Sequence, residues 1–168
     1  NAAHEALAKL EKAFDSNLML VTQNVDDLHE RGGSQSVYHM HGKLLSARCA
    51  ISQQTFDWSD SFDHTTKCPC CNRVTLRPDI VWFGEMPMYM EEIYDALSKA
   101  DVFIAIGTSG NVYPAAGFVQ IAKESGAHTI EANLEPGVTN ALFDESLTGP
   151  ASHIVPQWVD QLMSKYAL

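Results

Sequence analysis

Leu18-Met19-Leu20-Val21-Thr22, running directly into Gln23-Asn24-Val25-Asp26-Asp27-Leu28-His29, is the stretch whose reading decides the fold. The first five residues are mostly apolar and β-compatible, the pattern of a short strand buried in a parallel sheet. The apolar side chains then stop. Gln23, Asn24, Asp26, Asp27 and His29 follow, and after the turn at Gly32-Gly33 come Tyr38-His39-Met40-His41-Gly42. Polar and ionisable groups gathered at the carboxyl end of a buried strand mark the place where open α/β sheets take their ligands.

Working outward, Ala3, Ala6, Leu7, Leu10 and Phe14 recur at helical spacing, which predicts an amphipathic helix over 3–15 that Asp15-Ser16-Asn17 end. Val37 to His41 reads as a short extended segment. Further on, Met90, Ile93, Tyr94 and Leu97 make one helix face, and Val102 to Ile106 is a buried strand ending at Gly107-Thr108-Ser109-Gly110. Pro114 suits the first turn of the next helix, which runs to a C-cap at Gly126. His128 to Ala132 is a strand ending at Asn133-Leu134-Glu135-Pro136. His153-Ile154-Val155 reads as the last strand, with Pro156 opening a closing helix that turns Trp158, Val159 and Leu162 inward. Strand and helix in alternation predict a doubly wound, Rossmann-like parallel α/β sheet.

Residues 43–76 differ: they hold all four cysteines, few long apolar runs and turn residues such as Ser59-Asp60-Ser61. They read as a small inserted module with a metal in place of a core. The main Rossmann-like domain then comprises 1–42 and 77–168, re-entered through the extended Arg77 to Phe83 segment.

The totals bound the function. At 168 residues the chain is one domain with a small insert, long enough to bury a core. Hydrophobic residues at 45% argue against a disordered chain, and a formal charge of −10 argues against a surface built for nucleic acid. The acidic excess is compatible with a basic peptide partner, although solvated surface is its plainer reading. No apolar run approaches the roughly 20 residues that cross a bilayer, and there is no basic-then-apolar leader, so no membrane partner is expected. The chain begins at Asn1 rather than Met, so its natural start is expected upstream. Cysteines at 49, 68, 70 and 71 suit a metal site in a reducing, cytoplasmic setting rather than a disulfide framework.

Three strand ends carry polar or glycine-rich sequence: Gln23-Asn24-Val25-Asp26, Gly107-Thr108-Ser109 and Asn133-Leu134-Glu135. In a doubly wound sheet these ends lie along one edge and converge on one elongated ligand. Glycine lets backbone approach a phosphate, Thr and Ser add hydroxyl donors, and an acid such as Glu135 takes ribose hydroxyls, the pattern of a nucleotide site. His41, between a short strand and a glycine, is the candidate general base, because imidazole titrates around neutral pH. The plainer alternative is a histidine hydrogen-bonded in a loop, and His39 with His41 as metal ligands is another. Cys49, Cys68 and Cys71 fit three quarters of a paired-cysteine zinc pattern. The expected partner of Cys49 falls at position 52, which is Ser52, so Cys70 or a water is left to complete the shell. Val81-Trp82-Phe83-Gly84-Glu85 combines β propensity with large aromatics, either an edge that pairs with an extended peptide or ordinary packing by at least one aromatic.

Together, Gln23 to His29, His39-Met40-His41-Gly42, the cysteine module, Leu76 to Glu85, Gly107-Thr108-Ser109 and Asn133-Leu134-Glu135 resemble the sirtuins, the NAD-dependent protein lysine deacylases. The likeness runs in order over nearly the whole chain. Val81 to Pro87 and Tyr113-Pro114-Ala115-Ala116-Gly117-Phe118 are most similar to the bacterial CobB-type branch, akin to the mitochondrial desuccinylase class.

The resemblance implies that His41 is the catalytic base, taking a proton from a hydroxyl of the nicotinamide ribose. It implies that Asn24 and Asp26 hold the nicotinamide end and Gln23 the ribose. Gly107, Thr108, Ser109, Asn133, Leu134 and Glu135 would bind the remaining ribose and phosphates, with Ala151 near the adenine. Val81, Trp82, Phe83, Gly84 and Glu85 would hold an acylated-lysine peptide as an added strand and wall the acyl tunnel. A structural zinc would sit on Cys49, Cys68 and Cys71. The products would be nicotinamide, free lysine and an O-acyl-ADP-ribose, from an acetyl or a succinyl substrate.

Sirtuins begin with a strand and a Gly-Ala-Gly-type loop that clasp the NAD phosphates, followed by a mobile loop with an arginine. The Tyr and Arg that read acidic acyl groups in the CobB-type branch belong to the same part. The chain starts instead at the Asn1-Ala2-Ala3-His4 helix. The expectation is a sirtuin lacking its amino-terminal portion, its sheet short of a central strand with unpaired edges. The alternatives are a catalytically incomplete fragment that binds a partner or itself, an ADP-ribosyltransferase on the same scaffold, and a zinc hydrolase using His39 and His41.

Overall fold

A computed structural model describes residues 1–14 and 17–166. In chain order its elements are α1 (Ala2–Phe14), β1 (Leu20–Thr22), α2 (Leu28–Arg31), β2 (Val37–His39), β3 (Gly42–Cys49), β4 (Thr55–Asp57) and β5 (Leu76–Ile80). There follow α3 (Met90–Leu97), β6 (Val102–Ile106), α4 (Phe118–Glu124), β7 (His128–Asn133), β8 (Glu145–Thr148) and α5 (Ala151–Tyr166). The chain forms two compact units, Asn1–Met19 with His29–Ser36 and Glu91–Leu168, and Leu20–Leu28 with Val37–Met90. Parallel strands linked through helices make this a Rossmann-like α/β fold. Among the described residues no helix is long and apolar enough to cross a membrane.

In the first unit, β6, β7 and β8 form a parallel sheet with Ile104 beside Ile130 and Ala132 beside Leu147. The apolar stripe of α1, with Ala3, Ala6, Leu7 and Leu10 buried, packs on α5, whose Val155, Trp158 and Val159 are buried. Spacings of three and four residues put each set on one helix face. Burying a side chain of this size contributes about 1.5–3 kcal/mol. Glu11 belongs to the same helix, and its carboxylate accepts the Gln35 and Ser36 amides at 3.0 and 2.7 Å, pinning the His29–Ser36 segment.

In the second unit, β1 and β2 pair in parallel, Thr22 opposite His39. Separately, β3 pairs antiparallel with β4 on one side and β5 on the other.

The expected strand at His153-Ile154-Val155 is instead helix: α5 begins at Ala151, and the Ile154 amide donates to Pro150 O at 3.1 Å. Two β-branched residues favour strand locally, but Val155 shares a helical face with Trp158 and Val159, and packing on α1 overrides propensity. Pro156 therefore lies inside α5 rather than at its start. The last strand is β8 (Glu145–Thr148), which starts eight residues before His153 in a stretch without an apolar run. The expected helix stop at Asp15-Ser16 falls outside the described residues, and α4 ends at Glu124, two residues before Gly126.

Candidate functional site

His41 is placed by the ends of β1 and β2. The Met40 amide donates to Thr22 O at 3.1 Å, carrying the ladder one residue past β2. Beyond it, His39 Nδ1 meets Asn24 O at 3.3 Å and His41 Nδ1 meets Gln23 O at 3.0 Å. A carbonyl only accepts, so both Nδ1 atoms carry hydrogen, and each neutral ring keeps its lone pair on Nε2. His39 is 2% exposed and serves as an internal post, whereas His41 is half-buried. The backbone of His41 is fixed in turn, because the Val81 amide donates to its carbonyl at 2.9 Å and Gly42 pairs with Ile80. Asp26 accepts the Leu28 amide at 3.1 Å, an Asx turn leading into the one-turn α2. Among the described residues, the groups of three or more candidate metal-binding side chains include neither His39 nor His41, which removes the support for a zinc hydrolase.

The other strand ends meet in the first unit, where an open cleft of about 420 Å³ is lined by Gly107, Thr108, Ser109, Asn133, Leu134 and Glu135 together with Asn111 and Pro136–Val138. The Gly107 amide continues the sheet onto Ala132 O at 2.9 Å, and Asn133 Nδ2 donates to Thr108 O at 2.8 Å, tying the two loops together. Ala151 does not line the cleft; its segment is linked to it through the Gly149 amide on Asn133 O at 3.0 Å. Sequence reasoning passed over Glu131, which lies under this cleft with its carboxylate on Asn133 and Gly137. The available signal was an ionisable residue in the middle of the buried run Thr129-Ile130-Glu131-Ala132.

Val81 to Glu85 departs from an extended edge: β5 stops at Ile80, and the Glu85 amide closes a turn on Trp82 O at 2.9 Å. Trp82 and Phe83 are 55% and 105% exposed, so the expectation that at least one packs in the core does not hold. Glu85 faces inward on the turn. It takes Arg77 in a two-pronged pair at 2.7 and 2.9 Å and accepts the Trp82 amide at 3.0 Å. These bonds, Arg77's first, hold its carboxyl down to about 2. A depressed carboxyl stabilises the folded form above its ordinary value of 4.5 and loses that contribution as pH falls towards about 2. Amide exchange at Trp82, with exchange corrected for its own pH dependence, accelerates across that window, and a Glu85→Gln variant shows fast exchange throughout.

The cysteines converge. Cys49, Cys68, Cys70 and Cys71 present sulfurs within 4.8 Å of one another and form no disulfide. Cys49 and Cys71 are 3.9 Å apart, Cys68 and Cys70 3.3 Å. Four thiolates on a tetrahedral zinc at about 2.3 Å stand roughly 3.8 Å apart, so the set fits that ion with small adjustments. Ser52 supplies no ligand in place of the expected cysteine; it braces the cluster, its amide on Cys49 Sγ at 3.5 Å and its hydroxyl 3.3 Å from Cys70 Sγ. Hydrogen bonds to Cys49 from the Ser52 side chain and amide, with the Thr75 hydroxyl, pull the Cys49 thiol down to about 5, towards the thiolate a metal requires. Metal analysis is expected to find about one zinc per chain, and chelation to release the amide protection of β3, β4 and β5 while α1 and α5 keep theirs.

Comparison with known proteins places these features in a family. The Sir2 family profile matches residues 1–114. An NAD-dependent protein deacylase of Salmonella typhimurium is 57% identical over 164 residues, 97% of this chain and 60% of that protein. The chain thus spans about 60% of the length of this curated relative. A Sir2 homologue solved in complex with NAD superposes with a TM-score of 0.88 at 37% identity, over 98% of this chain and 65% of that one. Sir2Af2 bound to a myristoylated histone peptide gives 0.81 at 31%, over 99% and 73%. With sequence and structure agreeing along its length, the chain belongs to the Sir2 family, the sirtuins.

Proposed function

We propose that this chain carries catalytic and binding residues of an NAD-dependent protein-lysine deacylase. The overall reaction takes an acyl-lysine protein, NAD and water to free lysine, nicotinamide and O-acyl-ADP-ribose, with acetyl and succinyl groups as candidate substrates. The observation that carries this reading is the His41 ring, fixed through Nδ1 on Gln23 O at 3.0 Å with its basic Nε2 left over. Bound NAD supplies an activated ribose carbon whose bond to nicotinamide is exchanged for one to the acyl oxygen.

His41 Nε2 takes the proton of a ribose hydroxyl, and the fixed tautomer means that it does so without turning the ring. Asn24 and Asp26 hold the nicotinamide amide, and Gln23 reaches the ribose beside it. In the first unit, Gly107, Thr108 and Ser109 offer backbone and hydroxyl donors to phosphate, while Asn133, Leu134 and Glu135 hold the second ribose, with Ala151 towards the adenine. The exposed Trp82 and Phe83, with Val81 and Gly84, provide the apolar surface for the acyl-lysine peptide, on a turn that Glu85 stiffens. Zinc on Cys49, Cys68 and Cys71, with Cys70 as fourth ligand, holds the β3–β5 module and takes no part in the chemistry. Four free thiols fit a reducing, cytoplasmic setting.

The test is nicotinamide release by the full-length product of the gene. Release from NAD that requires an acyl-lysine peptide supports the deacylase. NAD-derived label on protein points instead to a transferase, and no nicotinamide with any acyl peptide sinks the catalytic reading.

A further inference from the structure

We propose that Glu131 is the positioning residue of the cleft between Gly107 and Val138: it ties down the loop after β7 and, together with the Thr108 carbonyl, fixes which end of the Asn133 amide meets a ribose hydroxyl. The inference rests on reading that cleft as a nucleotide site.

Glu131 sits on β7 and is 1% exposed. A carboxylate that far from water is tolerated when its lone pairs are used, and here they are. Oε1 accepts from Asn133 Nδ2 and from the Gly137 amide, both at 3.1 Å, and Oε2 accepts from the Gly137 amide at 3.2 Å and Asn140 Nδ2 at 2.6 Å. Each of these partners donates, so the position calls for a group that only accepts, a carboxylate rather than an amide. One side chain thereby holds three points of the 133–140 loop, and Asn140 Nδ2 passes the restraint to Ser146 Oγ of β8 at 3.0 Å. Gly137 makes the closest approach: a Cβ there would stand 2.5 Å from Glu131 Oε1 and 3.3 Å from Asn133 Nδ2.

The consequence for a ligand follows from hydrogen counting. Asn133 Nδ2 has two hydrogens, one given to Thr108 O at 2.8 Å and one to Glu131 Oε1 at 3.1 Å. What Asn133 has left for the cleft is Oδ1, an acceptor. An acceptor takes a sugar hydroxyl and repels a phosphate oxygen. Without Glu131 only the Thr108 carbonyl still holds Nδ2 away from the cleft, so the amide is less firmly fixed and the side chain distinguishes the two less sharply.

The experiment compares the wild-type protein with Glu131→Gln and Glu131→Leu, by calorimetric titration of ADP-ribose and of its form lacking hydroxyls on the adenosine ribose. A second readout, without ligand, is hydrogen exchange at the Gly137 amide. Wild type is expected to prefer ADP-ribose over the deoxy form. Glu131→Leu weakens ADP-ribose about 5- to 150-fold, the range for leaving a buried polar group unpaired, and narrows the gap between the two ligands. Glu131→Gln keeps one acceptor and falls between. Gly137 exchanges faster in both variants. A loss of affinity equal for both ligands, with the preference intact, overturns the positioning role, as does unchanged Gly137 exchange. If wild type binds neither ligand, the nucleotide reading itself fails, and Gly137 exchange alone then decides whether Glu131 holds the loop.

Discussion

His41→Ala in the full-length protein lowers nicotinamide release by about 10²- to 10⁴-fold, the usual contribution of a positioned general base, and leaves ADP-ribose affinity unchanged. The split between turnover and affinity follows from the geometry. The ring is anchored by one hydrogen bond, Nδ1 to Gln23 O at 3.0 Å, and the carbonyl of His41, which receives the Val81 amide at 2.9 Å, survives the substitution. Losing the ring removes one bond of about 0.5–1.5 kcal/mol, too little to unfold a protein of ordinary stability. The elements that hold the base therefore remain while the base is gone. Steady-state kinetics with an acyl-lysine peptide, together with a melting curve, make the check. Turnover within a few-fold of wild type would remove His41 from the chemistry, and a collapsed melting curve would show that the ring is a structural post like His39.

How far the sequence announced this arrangement depends on how local each signal is. β6 was legible to the residue, because Val102 to Ile106 is an unbroken apolar run closed by glycine. α1 was legible from its 3.6-residue periodicity, and so were the polar strand ends that line the cleft. The helix at His153-Ile154-Val155 was hidden, since its reason lies in α1, some 150 residues away in sequence. β3 was hidden as well. Leu44 and Leu45 are exposed neighbours, and the strand exists because β4 and β5 flank it. Spacing named three cysteines, and only coordinates show that Cys70 reaches the same point as the others. The pairing of Glu85 with Arg77, eight residues back, was also invisible in the sequence, because no local pattern joins the two. Partners distant in sequence are what periodicity leaves out.

Gly42→Ala is the substitution expected to damage the fold most, and it separates two costs that often travel together. The residue sits at φ +87°, where a side chain costs about 1–2 kcal/mol. Beyond that, a Cβ would overlap the Asp79 carbonyl oxygen, with the Asp79 carbonyl carbon at 2.8 Å and Ile80 Cα at 2.9 Å. Those are backbone atoms of the paired strand β5, and Asp79 has little freedom to yield. Its carboxylate is held by Arg48 Nε at 2.7 Å and Ser46 Oγ at 3.1 Å, and the residue is 7% exposed. The strands must part, and His41, the residue just before Gly42, loses its bond from Val81. Together the two terms come to about 3–5 kcal/mol, a large share of the roughly 5–15 kcal/mol that stabilises a typical protein. Gly84→Ala is the control: φ is +89°, but no atom lies within 4 Å of the new Cβ, so only the conformational term of about 1–2 kcal/mol applies. Chemical denaturation midpoints measure both. Equal losses in the two variants would mean that strain alone acts at Gly42 and that β5 gives way without cost; a Gly42→Ala loss more than twice that of Gly84→Ala places the difference in the close approach of β3 to β5 that seats the base.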